Sequence, residues 1–221
     1  IVVGLVVSVG IALPFFEVRR RGVLKFYQTA VILPNFLSFV VIAYMTYALF
    51  NPAFGSANRL LEAVGLSDVR WYSEPVYWPF ILTFVNTWKY AGMGSIVYYA
   101  GLVAIDQELY EAAIVDGANK WQQTWRISIP SLVPLMTVLN ILALGRIFRA
   151  DFGLFYQIPR DSGLLYPATD VIDTYVFRAL KEFQDIGMSS AVGLYQAIVG
   201  FVLVITANWV VNHVEPDNAL Y

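Results

Sequence analysis

Five stretches of this chain are apolar over lengths that reach or approach the thickness of a bilayer, and they restrict the fold more than any other feature. They cover residues 1–16, 26–50, 79–104, 131–150 and 191–211. A spanning helix needs about 20 mostly apolar residues. The first run, "IVVGLVVSVGIALPFF", is expected to be the end of a span whose N-terminal part is missing, because it lacks the basic leader and small-residue cleavage site of a signal peptide. Charged residues make up 14% of the chain, against roughly a quarter in soluble domains. The expected fold is an all-α integral membrane protein, a bundle of at least five transmembrane helices in a single domain over 1–221. Cysteine is absent, which excludes disulfides, a thiol catalyst and a thiolate metal site. A net charge of -2 argues against a nucleic-acid footprint.

Basic residues in short loops set the orientation. "EVRRRGVLK" carries Arg19, Arg20, Arg21 and Lys25 and is placed in the cytoplasm. Alternation then puts 51–78 and 151–190 outside as extracellular loops, and 105–130 and the tail "NHVEPDNALY" inside. Both outer loops contain helical signals. In the first, Ser56 is expected to cap a short helix and Gly65 to end it. In the second, Val171, Ile172, Tyr175, Ala179, Leu180 and Phe183 fall on one face at helical spacing, with Thr169 or Asp170 as cap and Gly187 as stop.

The inner loop is polar and rich in tryptophan. "DQELYEAAIVDG" reads as a short helix with acids in its first turns, where they complement the dipole, and Gly117 suits a left-handed turn after it. "ANKWQQTWR" reads as a second short helix, and Pro130 as the opening of the next span. Such a loop is either a solvated connector or a docking element, and an ordered loop of this length favours docking.

Within it, Glu111, Ala112 and Ala113 are followed by three residues, Gly117, nine residues, then Ile127, Ser128, Ile129 and Pro130. This pattern resembles the signature of the membrane subunits of binding-protein-dependent ABC importers, with Ile129 where leucine is usual. "FGSANRLLEAVGL" is similar to an outer segment of sugar permeases of the maltose-importer class. "DFGLFYQIPRDSGLLYPATDVIDTYVFRAL" and "NWVVNHVEPDNALY" resemble the aldouronate-type permeases, which import complex or uronate-bearing oligosaccharides in bacteria. The resemblance implies a type I ABC importer permease in the bacterial plasma membrane, its loop 105–130 a coupling helix pair seated in a cytoplasmic ATPase. It implies as partners a second permease subunit in a heterodimer, an ATPase dimer carrying the ATP and magnesium, an extracellular solute-binding protein and membrane lipid. This chain itself would bind no cofactor and no metal. It has no phosphate-binding Gly-x-x-x-x-Gly-Lys-Ser/Thr loop.

Polar residues inside the spans mark cavities or partners, since an ionised side chain at mid-bilayer costs about 2.5–3.5 kcal/mol on insertion scales. Asn86, Lys89 and Tyr90 share a helix face beside Trp88. Aromatic rings stack on sugar faces and ammonium or amide donors bind hydroxyls or carboxylates, so this face is the first candidate for substrate contact. Lys89 has a second reading, as the partner of an acid on the other permease subunit. Asn35 beside Pro34, where a kink is expected, Asn140 mid-helix and Arg146 near the outer end of the span 131–150 are the further pathway candidates. Each also has a packing or headgroup reading. Lone His213, at the inner end of the last span, has no catalytic constellation around it.

Two other function classes remain. A secondary transporter would carry a coupling acid within a span, but all sixteen acidic residues fall in loops, termini or helix ends. A membrane-embedded enzyme would show paired carboxylates or a nucleophile with a base. The solute itself also has an alternative within the importer class, a neutral sugar.

Overall fold

The computed structural model describes residues 1–184 and 186–214. Residues 215–221 of the tail, and the Phe183 side chain assigned above to an outer helix face, lie outside what it describes. Among the described residues there are eleven α-helices and no strands. In chain order they are α1 (Val2–Glu17), α2 (Arg21–Ile32), α3 (Phe39–Phe50), α4 (Ser56–Ala63), α5 (Trp78–Val103), α6 (Gln107–Val115), α7 (Lys120–Gln123), α8 (Ile129–Leu144), α9 (Tyr166–Thr169), α10 (Ile172–Phe183) and α11 (Ile186–Val214).

All five apolar runs are helical. Residues 120–144 and 186–213 form helices long and apolar enough to cross a membrane on their own. Only 11% of the apolar window of 186–213 is buried within the chain. An apolar helix left this bare is at odds with water and at home in hydrocarbon or against another subunit. The 26 residues of α5 span about 39 Å at 1.5 Å per residue, with Asn86, Thr87 and Lys89 making it the more polar helix.

The run 26–50 is broken rather than kinked. α2 passes into a 3₁₀ turn, Leu33–Phe36, and α3 leaves it at 96° after a two-residue gap. Pro34 lies buried in that turn, where its missing N–H suits a helix that has to stop. Ser38 restarts the chain, its Oγ accepting from the Val41 N–H at 3.3 Å.

The chain divides into two compact units, 1–36 with 87–145 and 201–221, and 37–86 with 146–200. The first is centred on Val9 and Ala12 of α1, Tyr98 and Leu102 of α5, and Leu132 of α8. Glycines on α5 allow this closeness. A β-carbon on Gly92 would meet the Val31 backbone of α2, one on Gly94 the Ser8 hydroxyl at 2.6 Å, and one on Gly101 the Leu135 and Leu132 methyls at 2.9 and 3.0 Å. Close helix packing thus accounts for both Gly92 and Gly94.

The second unit packs Ile42 and Ala43 of α3 and Trp78, Ile81, Leu82 and Val85 of α5 with Leu154, Ile158 and Leu165. Its outer segment is pinned by buried polar groups. Asn58 Oδ1 accepts from Trp71 Nε1 at 2.7 Å and its Nδ2 donates to the Val69 carbonyl at 3.1 Å, while Trp78 Nε1 donates to the Trp71 carbonyl at 2.7 Å.

Several local expectations need correcting. The cap of α4 is Gly55, not Ser56, which lies inside the helix. Gly65 does end it, at φ +79, with the Leu66 N–H bonded to the Leu61 carbonyl. α10 ends at left-handed Gln184, and Gly187 lies inside α11. The apolar face of α10 is turned outward, with Ile172, Tyr175 and Leu180 exposed. Thr174 and Arg178 face inward instead, because both find polar partners: Arg178 bonds Asp170 at 2.6 Å and Asp161 at 3.3 Å, and Thr174 donates to Asp170 at 2.7 Å.

Candidate functional site

The loop 105–130 is a defined corner. Asp106 caps α6, its Oδ1 accepting from the Glu108 N–H at 3.0 Å, and Glu108 adds favourable charge in the first turn. The helix closes at Gly117, whose φ is +78. The Gly117 N–H bonds the Ile114 carbonyl at 3.0 Å and the Ala118 N–H bonds the Ala113 carbonyl at 2.8 Å, the paired closure of a Schellman motif. Two residues on, Asn119 opens α7 with a capping box: Asn119 Oδ1 accepts from the Gln122 N–H and Gln122 Oε1 from the Asn119 N–H, both at 2.9 Å. Gln123 Nε2 donates across the corner to the Ala118 carbonyl at 2.9 Å.

One face of this corner is fastened to its own unit. Tyr110 is buried against Phe16, ring centroids 5.5 Å apart, and its hydroxyl lies 2.9 Å from Ser128 Oγ. Lys120 reaches Glu17 at 3.2 Å, an exposed pair that adds little. The other face is bare. Glu111, Ala112, Gly117 and Pro130 are exposed, and Ala113 and Ile127 half-buried. Val115 is 87% exposed and Trp121 70%, with Leu109, Ile114 and Trp125 also uncovered. Apolar side chains so exposed on an otherwise polar loop mark an interaction surface.

Pro130 lies in the first turn of α8, as the sequence suggested, but α8 is not separated from α7 by a break. Residues 120–144 form one helix of 25 residues. A π turn, Thr124–Ser128, lies just before the proline, with the Ile129 N–H bonded to the Thr124 carbonyl. The wider turn accommodates the missing proline N–H without a stop. The second arm of the corner and the apolar helix that follows are thus one rod.

The pathway candidates are not brought together as one face. Lys89 is 5% exposed, and its Nζ donates to the Asn35 carbonyl at 3.0 Å while lying 5.4 Å from the Tyr90 ring centroid. Trp88 and Tyr90 are exposed and Asn86 half-buried. Asn140 Nδ2 donates back to the Met136 carbonyl of its own helix at 2.7 Å and borders an apolar cleft of about 460 Å³ lined by α8 and α11. Arg146 is not at the end of a helix, because α8 stops at Leu144 and the arginine sits exposed in the turn beyond it.

What the sequence reading missed is the tie between Lys89 and the broken helix. The signal was present: a lysine in a span needs an acceptor, and a proline-interrupted helix leaves carbonyls without donors.

Residues 2–219 match the family described as the binding-protein-dependent transport system inner membrane component. The chain is 33% identical over 208 residues to the polygalacturonan/rhamnogalacturonan transport system permease protein YteP of Bacillus subtilis (strain 168), covering 91% of this chain and 62% of that one. It is 29% identical over 207 residues to protein LplB of the same organism, covering 94% and 64%. The chain thus spans a little under two-thirds of the length of these relatives. Among solved structures it matches a bacterial ABC transporter involved in the import of the acidic polysaccharide alginate, with a TM-score of 0.89 and 34% identity over 97% of this chain and 74% of that one. A second structure shows the alginate transporter with an alginate pentasaccharide-bound periplasmic protein, at a TM-score of 0.88. Likeness of sequence and of fold runs over nearly the whole length of this chain, which belongs to the family of inner membrane components of binding-protein-dependent transport systems.

Proposed function

We propose that this chain is a permease subunit of an ATP-driven importer that carries an oligosaccharide across the membrane. The observation that carries the reading is the corner at Gly117, held rigid on one side, bare and apolar on the other, and continuous with the helix 120–144. A surface of this kind suits a soluble partner that moves it. The corner would seat in a cytoplasmic ATPase dimer, which holds ATP and magnesium and performs the hydrolysis. Closure of that dimer would drag Glu111 to Pro130, and the rod would pass the displacement to the membrane without a hinge to absorb it.

The other partners would be a second, different permease chain, as the family resemblance implies, and an extracellular binding protein that delivers the sugar, a reading supported by the alginate transporter solved with its periplasmic protein. The acidic glycans named for the relatives favour a uronate-bearing oligosaccharide over a neutral one. On this reading Asn35, Asn86, Trp88, Tyr90, Asn140 and Arg146 contribute to the pathway. Lys89 serves it by holding the helix break beside Asn35.

The test is sugar uptake by cells expressing the complete importer with Glu111→Lys or Gly117→Pro. Both variants are expected to insert into the membrane and lose uptake. Wild-type uptake in both would remove the coupling assignment.

A further inference from the structure

A cluster in the second unit belongs neither to the corner nor to the pathway candidates. The π turn Gly153–Gln157 is followed by two adjacent non-glycine residues in the left-handed region, Arg160 at φ +58 and Asp161 at φ +49. Each costs on the order of 1–3 kcal/mol of strain, which persists only where the surroundings impose it and which concentrates at ligand sites. The two side chains are used differently. Asp161 is committed to its own unit, accepting from Tyr166 Oη at 3.0 Å and from Arg178 at 3.3 Å. Arg160 makes no ion pair among the described residues. Its guanidinium lies 4.1 Å over the Tyr47 ring, a contact that orients it without neutralising it. Its charge is felt nearby: burial pushes the Tyr72 phenol well above the ordinary tyrosine range and the Arg160 charge pulls against that shift.

Arg160 edges a pocket of about 190 Å³ whose walls include Val40, Tyr44, Tyr156, Gln157 and Asp161, the last with its carboxylate already held by Tyr166 and Arg178. Aromatic and aliphatic walls, one side-chain amide and an unneutralised guanidinium match one ligand chemistry well. A pyranose has an apolar face to lie on the rings and hydroxyls for the amide. A carboxylate on that sugar supplies the two oxygens a guanidinium binds in parallel. A lipid tail would leave the amide and the charge unused.

We propose that this pocket is a subsite for one carboxylate-bearing sugar unit, with Arg160 receiving the carboxylate. The proposal rests on the oligosaccharide reading above and adds a residue to it.

The test compares wild type with Arg160→Asn, since asparagine tolerates the left-handed conformation and removes the guanidinium. The complete importer and its binding protein, in lipid nanodiscs, would be assayed for ATPase stimulation by trigalacturonate and by its methyl ester, which has the same length and no charge. The binding protein's own preference is common to both versions and cancels. The ratio of half-saturation, ester over acid, is expected to fall about tenfold in the variant, the scale of one charge-assisted hydrogen bond. An unchanged ratio overturns the subsite. So does an effect that disappears when anionic lipid is left out of the nanodiscs, which would make Arg160 a headgroup anchor. A wild-type complex stimulated by the ester alone overturns the subsite and keeps the importer reading. A complex that hydrolyses ATP but responds to neither sugar sinks the oligosaccharide reading itself.

Discussion

Replacing Lys89 with methionine separates two roles for the one buried lysine of the spans. The ammonium donates to the Asn35 carbonyl at 3.0 Å and is 5% exposed. A hydrogen bond from a charged donor is worth about 1.5–3 kcal/mol, and an orphaned buried carbonyl costs about 1–3 kcal/mol. Relief from burying the charge offsets part of this. Methionine keeps most of the stem volume, so the cavity left is small. The net loss is about 2 kcal/mol, or roughly 30-fold in a local opening equilibrium at 1.36 kcal/mol per decade. Hydrogen exchange in the assembled complex reads this directly: amides of residues 33–41 are expected to exchange about 30-fold faster, while those of 106–117 keep the wild-type rate. Substrate half-saturation measured in the same preparation gives the opposing outcome. Unchanged exchange at 33–41, together with a large rise in half-saturation, would show that the ammonium serves the sugar and that its bond to Asn35 is incidental.

Three further sites have expected outcomes when altered. Gly117→Ala meets no atom within 4 Å of the new β-carbon, so it suffers only the left-handed penalty of about 1–2 kcal/mol. Uptake should be reduced and not lost, with Gly117→Asn recovering part of it. Gly92→Val drives a side chain into the Val31 backbone, which has no flexible end to move, and membrane extracts should contain no monodisperse complex. Replacing both Trp121 and Trp125 by alanine removes two exposed rings packed 5.5 Å apart. Aromatic anchors commonly carry 2 kcal/mol or more each at interfaces, so co-purification of the ATPase subunits should weaken by at least about tenfold while the permease pair stays assembled.

Residues whose role is decided by their own backbone were legible in the sequence. Gly65 and Gly117 sit just past the short helices of the polar loops, and both take the left-handed turn expected of them, at φ +79 and +78. The corner at 105–130 was legible for the same reason, since an N-cap, an acidic first turn and a glycine stop are all local. The chain's five helical runs follow from length and hydropathy, which need no knowledge of neighbours.

What escaped the sequence was set by groups far away along the chain. Pro34 predicts a weakened helix, but a 96° break also needs acceptors to be satisfied, and one donor is Lys89, 54 residues distant. Pro130 carries the same local signal with the opposite result. There a π turn takes up the defect and the helix runs on. A proline thus does not state whether a helix stops; the partners of the carbonyls it frees decide that. Arg178 makes the same point about polarity. By hydropathy it belongs outside, yet Asp161, Asp170 and the Tyr166 ring surround it, and the apolar side of α10 is left facing outward. A helix orients by the partners available to each face, and a paired arginine can outweigh three uncovered apolar side chains once its charge is met. The same logic separates Arg160 from Arg178: one has two carboxylates within its own unit, and the other holds its charge at the edge of a pocket.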